Sequence, residues 1–321
     1  MTDLVLDLFA GPGGWSEGLR RLGLESVGLE LDFQACRTRV AAGHRAIQTD
    51  VTTYPTWVFR GKVRKAAMSP VCPSFSKSGK GLGLIDLPLV QQTIVDLSRG
   101  RDTRAINGAA CLDERSILTA EPMRWLYDLQ PETVMMEQVP AVLPLWQLYG
   151  SVLRSWGYST ACGVLDAARY GAPQHRKRAV FIASRVIDVA LPEPTHGGPG
   201  QPGLVPMVAA VGWGYTQRPA PTVTGGGAYT GGAEPFGNGT RQAMRRAADR
   251  LGEWADRGVP HLRPTLAECA VLQGFPPDYP FQGNAGQTFM QVGNAVPPLL
   301  AAHVASAATG IPLNVPALAA A

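Results

Sequence analysis

Cysteine is scarce and scattered: Cys36, Cys72, Cys111, Cys162 and Cys269 form no C-x-x-C pair and no Cys/His ligand spacing. That pattern argues against a disulfide framework and against zinc, and it suits a reducing compartment. No metal is expected. A signal peptide and any apolar run long enough to span a bilayer are also missing, so a cytoplasmic protein without a membrane partner is expected. No internal repeat is apparent. Neither sign of charge dominates, with 29 Lys and Arg against 25 Asp and Glu. The resulting net charge of +4 permits a polyanionic partner without demanding one. By contrast, 37 glycines and 27 prolines imply many turns. A chain of 321 residues can bury one large core, or one core and a smaller satellite domain.

The first residues follow a nucleotide-binding pattern. Leu4 to Phe9 is a nearly all-apolar run, as expected of a central parallel strand covered on both faces. Ala10-Gly11-Pro12-Gly13-Gly14 makes a tight turn, and Trp15 to Leu22 has amphipathic helical spacing. Glycines let a ligand approach the backbone, and a helix N-terminus favours a carboxylate or phosphate. A second strand ends in Glu30, about 20 residues past the turn, where a ribose hydroxyl would be bound. The dinucleotide pattern G-x-G-x-x-G fails at its third glycine, since position 16 is serine. The compact G-x-G-G turn instead suits a ligand without a pyrophosphate, such as S-adenosylmethionine, although a purely structural turn has the same residues. A third strand leads to Asp50, placed either to accept from an adenine amino group or to cap a helix.

Next comes Ser69-Pro70-Val71-Cys72-Pro73-Ser74-Phe75-Ser76, after a short apolar strand. A thiol on a loop stiffened by two prolines suits a nucleophile, and a small buried hydrophobe is the alternative. Residues 77–112 have weak periodicity and read as a long mobile loop with a short helix near Leu87–Leu97. A helix is predicted over Asp113–Leu129, feeding a buried strand that ends in Glu137, at the edge where open α/β sheets bind ligands. A helix over Leu143–Ser155 and a strand over Ser159–Leu165 follow. If the next segment is extended, Gln174, Arg176 and Arg178 share one face. Residues 185–260 are rich in Gly, Pro and Thr without long apolar strands, and read as a second, smaller domain. Within it Arg241, Arg245, Arg246 and Arg250 form either a phosphate-binding stripe or an exposed charged face. Thr265 and Glu268 have capping-box spacing, and a final helix is predicted over Leu299–Ala308.

Six stretches, in order, resemble the cytosine-5 DNA methyltransferase family: Asp7–Gly14, Cys72–Ser76, Glu137–Val139, Gln174–Arg178, Arg263–Glu268 and Gly293–Pro297. The resemblance implies an α/β fold, with a Rossmann-like methyltransferase sheet, helices on both its faces, and a small target-recognition domain. On that basis residues 1–184 and 261–321 form the catalytic domain and 185–260 the recognition domain. It implies that Cys72 attacks C6 of a cytosine flipped out of duplex DNA. Glu137 would hold N3 and the exocyclic amine, with Arg176 and Arg178 steadying Glu137 and the nucleotide. Phe9, Gly11, Pro12, Gly14, Glu30, Asp50 and Asn294 would line the S-adenosylmethionine pocket. Ser76, Gln174, Thr222 and Thr224 would meet the substrate, and residues 77–100 would close over DNA. The partner implied is double-stranded DNA, bound by a monomer in a prokaryotic or phage-encoded, nucleoid-associated setting, as in restriction-modification.

Departures from the family pattern are Val71, Pro73 and Gln138, where Pro, Gln and Asn are usual. These put the loop geometry and the rate in question without removing a reacting group. A tRNA cytosine-5 methyltransferase and a catalytically silent DNA-binding homologue are the alternative readings. The 185–260 region argues against the first, and retention of Cys72, Glu137 and Arg178 against the second. A Rossmann oxidoreductase fails on the missing glycine.

Overall fold

The computed structural model describes residues 4–71, 75, 82–225, 236, 244, 246, 254–255 and 263–313. Its chain begins β1 (Val5–Leu8), α1 (Gly14–Arg20), β2 (Ser26–Glu30), α2 (Phe33–Ala41), β3 (Arg45–Gln48) and β4 (Lys65–Met68). Then come α3 (Leu82–Ile85), α4 (Leu87–Leu97), α5 (Arg104–Ala110), α6 (Glu121–Leu129), β5 (Thr133–Gln138), α7 (Leu143–Ser155), β6 (Ser159–Asp166) and β7 (Lys177–Ser184). The remainder holds α8 (Met207–Val211), β8 (Gly214–Tyr215), β9 (Trp254–Ala255), α9 (Leu266–Gln273), α10 (Ala285–Asn294) and α11 (Pro298–Thr309).

Seven strands form one sheet in the order β3-β2-β1-β4-β5-β7-β6. Strand β7 runs antiparallel to both its neighbours, and the other pairings are parallel. Alternate residues of the central strands feed two different cores, as the period of two requires. Leu6, Leu8, Ala66, Met68, Val134 and Met136 join Ile94, Trp125 and Trp146 from α4, α6 and α7. Val5, Ala67, Met135, Val180 and Ile182 join Trp15, Leu19, Leu300 and Val304 from α1 and α11. The sheet is therefore covered on both faces, which explains why β1, β4 and β5 read as continuous apolar runs.

A third core brings Met207, Trp213, Tyr215 and Val223 together with Cys269, Leu272, Phe275 and Val292. The segment around 207–225 and the helices α9 and α10 thus share one apolar interior. Of the arginine stripe only Arg246 falls within the described residues.

Two elements differ from expectation. The 77–112 stretch, read as a mobile loop with a short helix near Leu87–Leu97, has that helix as α4, which buries Val90, Ile94 and Leu97 in the main core, but it also holds α3 and α5, which the spacing does not predict. Its two ends are joined by buried Asp86, whose carboxylate accepts from the Leu112 and Asp113 amides and the Ser116 hydroxyl. Periodicity missed α3 and α5 because polar staples close the segment around α4. Second, the helix expected over Asp113–Leu129 is a 3-10 turn, Glu114–Thr119, followed by α6. Pro122 in the first turn of α6 has no N–H to extend a helix arriving from residue 118.

Leu8, Met68 and Met136 stand in register across three neighbouring parallel strands. At this edge of the sheet the chain leaves β1 at Phe9–Gly14 and β4 at Ser69–Pro70, while β5 runs past them as Glu137–Gln138, still paired with β7. That edge carries the candidate site.

Candidate active site

The turn after β1 is built on left-handed residues, with φ of 57° at Phe9, 52° at Gly11 and 112° at Gly13. Only glycine takes this region without penalty, so Phe9 holds a strained backbone of roughly 1–2 kcal/mol. Glu30, at the end of neighbouring β2, is fixed against the turn. Its Oε2 accepts from the Gly11 amide at 2.7 Å and its Oε1 from the Asp32 amide at 2.8 Å. A Cβ added at Gly11 would meet nothing within 4 Å, so open space lies over this turn. An unobstructed backbone cradle with a carboxylate at its rim fits a ligand bearing ribose hydroxyls.

The turn is gripped from behind by the C-terminal part of the chain. The Tyr279 hydroxyl donates to the Pro12 carbonyl at 2.7 Å, and a Cβ at Gly14 would overlap the Val296 carbonyl oxygen. Because that obstacle is backbone at the entry to α11, Gly14→Ala cannot be absorbed by a side-chain rotation. It is expected to cost about 3 kcal/mol, the upper end of the overpacking range, and to weaken cofactor binding. Chemical denaturation and cofactor titration of the variant check this.

Asp50 caps no helix among the described residues: its Oδ1 accepts from the Thr52 amide and hydroxyl, closing the turn after β3. Asn294 ends α10, is exposed, and lies beside Gly225, where an added Cβ would stand 3.4 Å from its Oδ1. Phe9, Gly11, Pro12, Gly14 and Glu30 thus cluster at one place.

Glu137, 6 % exposed, has both carboxylate oxygens engaged. Oε1 is paired with Arg178 Nε at 2.9 Å, and Oε2 accepts from the Ser69 hydroxyl at 3.1 Å. Burial pulls the Arg178 guanidinium below its ordinary pKa, and the Glu137 charge opposes that pull. Gln138 also reaches across the strand gap: its Nε2 donates to the Pro70 carbonyl, while its Oε1 accepts from the Val139 amide. The residue that departs from the family pattern therefore ties β5 to the base of the cysteine loop. Cys72 and Ser76 lie outside the described residues.

Two expected site residues turn out to be internal braces. Gln174 is fully buried, and its amide is used by Leu272, Gln273 and the Val223 N–H. Arg176 is 2 % exposed and donates to the carbonyls of Val223, Gly293 and Ala295. Burial holds its pKa well below the usual arginine value. The period-of-two reading put Gln174 and Arg176 on one face correctly, but that face looks into the protein, and three buried carbonyls take the Nη1 and Nη2 donors of Arg176. Among the described residues, Arg178 rather than Arg176 pairs with Glu137. Thr222 is tied to the His175 carbonyl at 2.6 Å, and Thr224 passes so close to Gly293 that a Cβ there would overlap it. The reading of spacing missed Trp15, Ser69 and Tyr279, because none carries a motif and each acts through a contact between distant segments.

The protein-family model for C-5 cytosine-specific DNA methylase matches residues 105–195 and 239–309. These ranges hold Glu137, Gln174, Arg176, Arg178 and Asn294. The chain belongs to the C-5 cytosine-specific DNA methylase family. The methylase is 28 % identical over 347 residues to the Type II methyltransferase M1.HphI of Haemophilus parahaemolyticus, covering 96 % of this chain and 87 % of the other. It is 27 % identical to M.NgoMIV of Neisseria gonorrhoeae, covering 93 % and 95 % of the two. Its fold is similar to a putative DNA modification methyltransferase encoded in an Escherichia coli prophage. That likeness has a TM-score of 0.60 and 18 % identity, over 96 % of this chain and 99 % of that one. A DNMT2 variant from Spodoptera frugiperda superposes with a TM-score of 0.64 at 16 % identity, over 95 % and 99 %. The methylase is thus an α/β DNA (cytosine-5-)-methyltransferase, and the edge that carries Glu137 and the glycine turn is its candidate site.

Proposed function

We propose that the methylase transfers a methyl group from S-adenosylmethionine to C5 of a cytosine flipped out of duplex DNA, through a transient bond between Cys72 and C6. One observation carries this reading: a buried carboxylate, Glu137, clamped by Arg178 and Ser69, stands at the same sheet edge as an open glycine turn. Cys72 follows Ser69 by three residues, within about 10 Å of chain.

In this scheme the Cys72 thiolate forms an S–C6 bond, and the displaced C5–C6 electron pair makes C5 nucleophilic. Glu137 holds the N3 proton and the exocyclic amine, so the ring can carry the added electrons. Arg178 holds the Glu137 carboxyl in place. Bound S-adenosylmethionine supplies an electrophilic methyl group. Loss of the C5 proton to a base then restores the C5–C6 double bond, and the electron pair of the S–C6 bond returns to sulfur. Phe9, Gly11, Pro12, Gly14, Glu30 and Asn294 bind the donor, and Asp50 shapes its rim through the 50–54 turn. Gln174 and Arg176 fix the 222–225 segment, from which Thr222 and Thr224 approach the substrate with Ser76. Residues 185–260 serve as the target-recognition domain, in a monomer acting on the bacterial or phage DNA that a restriction-modification context supplies.

Trapping on 5-fluorocytosine tests this chemistry. Fluorine at C5 cannot leave as a proton, so duplex DNA carrying it at the modified position should remain joined to the cofactor-loaded protein. No adduct under conditions where unmodified DNA is methylated excludes the covalent route. Labelled cofactor offered with tRNA should give no transfer.

A further inference from the structure

The two oxygens of Glu137 are held from opposite sides. Arg178, from β7, engages Oε1, and Ser69, from the end of β4, engages Oε2. The Ser69 hydroxyl is itself engaged by the indole Nε1 of Trp15 at 2.9 Å. Donor and acceptor roles along this chain are not free to vary. An indole N–H only donates, and a hydroxyl has one proton. Accepting from Trp15 therefore leaves the Ser69 proton for the carboxylate. The result is a directed relay, Trp15 Nε1–H to Ser69 Oγ–H to Glu137 Oε2.

Each member is anchored independently. Trp15 is 2 % exposed in the α1–α11 core and directly follows Gly14 of the glycine turn. The Ser69 amide donates to the Leu8 carbonyl, which ties the end of β4 to β1. Glu137 sits on β5, paired to β4 up to Met68 and Met136. The relay thus joins the segments after β1 and β4 to the end of β5 and indexes the carboxylate against the glycine turn.

We propose that Ser69 and Trp15 are positioning residues for methyl transfer: Trp15 orients the Ser69 hydroxyl, and Ser69 fixes the rotation of the Glu137 carboxylate toward the target base. This rests on Glu137 being the group that engages the cytosine. With Arg178 alone, the carboxylate has one donor and a free torsion. With both, its plane is set before the base arrives, which is how a preorganised group acts on a transition state.

The test compares Ser69→Ala, Ser69→Thr, Trp15→Phe and the Trp15→Phe/Ser69→Ala pair, using kcat, KM for DNA and KM for cofactor. A hydrogen bond to a charged group that orients a reacting side chain corresponds to roughly ten- to a hundred-fold in rate. Ser69→Ala should lower kcat by that factor, with both KM values within about twofold of wild type. Ser69→Thr keeps the hydroxyl and should recover most of the loss. Trp15→Phe should lower kcat by a smaller factor, and the pair should be no slower than Ser69→Ala alone, because Trp15 acts only through Ser69. Losses that multiply, a Thr variant as slow as Ala, or an effect confined to KM would overturn the proposal. Should Trp15→Phe fail to fold, the two Ser69 variants decide the matter. Glu137→Gln, run alongside, separates the two readings. If it is as fast as wild type, the role of Glu137 is wrong. If it is inactive while Ser69→Ala runs at full speed, only the relay fails.

Discussion

Cys72→Ala should abolish methyl transfer, by roughly a thousand-fold or more, while cofactor affinity stays within about twofold of wild type. The two halves of this expectation come from different parts of the sheet edge. Donor binding is assigned to the turn after β1 and to Glu30, whose carboxylate already holds the Gly11 amide in place. None of those contacts passes through the loop after β4. The thiol, by contrast, is the only group in the proposed scheme that can add to C6, and alanine removes it without adding bulk. Equilibrium titration with cofactor, beside a transfer assay on duplex DNA, checks both halves. A variant that transfers at a measurable fraction of the wild-type rate would show that C5 is activated without sulfur. A variant that no longer binds cofactor would show that the loop and the turn are one structural unit.

The sequence makes the positions of the glycine turn and of Glu137 legible, because both follow strands whose apolar runs are nearly unbroken. Once β1, β4 and β5 are recognised as buried parallel strands, the residues that end them must share an edge. What holds those residues at that edge is not legible. Ser69 reaches Glu137 across 68 positions, and Gln138 reaches Pro70 across the same separation. Neither bond has a local signature. The same holds for Gln174 and Arg176: extended spacing places them on one face, but only the packing of α9 and α10 against the 220–225 segment turns that face inward. In the 77–112 stretch only the helix Leu87–Leu97 is legible, for a related reason. Around that helix the order comes from Asp86 joining residues 26 to 30 positions apart, which a window of local periodicity does not see. Family resemblance implied roles for these residues, and the structure shows Gln174 and Arg176 bonded to groups of the 220–225 segment and of the α9–α10 region.

Arg39→Met should destabilise the methylase by about 3–5 kcal/mol in urea unfolding, although the Arg39 guanidinium bonds to Asp7, Ala10, Ser16 and Arg45, none of them a proposed site residue. Arg39 is completely buried beneath the glycine turn. Its Nη1 donates to Asp7 at 3.1 Å and to the Ala10 carbonyl at 3.2 Å, and its Nη2 to the Ser16 hydroxyl at 2.8 Å. Gly28 leaves the space: a Cβ there would overlap the guanidinium. Asp7 is equally enclosed, and burial pushes its carboxyl up to about 6 despite the lowering effect of Arg39. Methionine fills much of the volume but leaves Asp7 as a buried acid without its counter-ion. The penalty should therefore depend on pH in a defined direction. Asp7 binds its proton more tightly when folded than in the unfolded chain, where its pKa is about 3.9, so the cost of ionising it is present above the folded pKa. Losing Arg39 raises that pKa further and enlarges the cost, which is relieved as pH falls through the raised value. The stability gap between variant and wild type should accordingly narrow between about pH 7.5 and pH 5.5. Adding Asp7→Asn removes the charge itself and should recover most of the loss at neutral pH, because a neutral pair of similar shape needs no counter-ion. A gap that is the same at both pH values, or a double variant no more stable than Arg39→Met, would assign the loss to packing under the turn rather than to the stranded carboxylate.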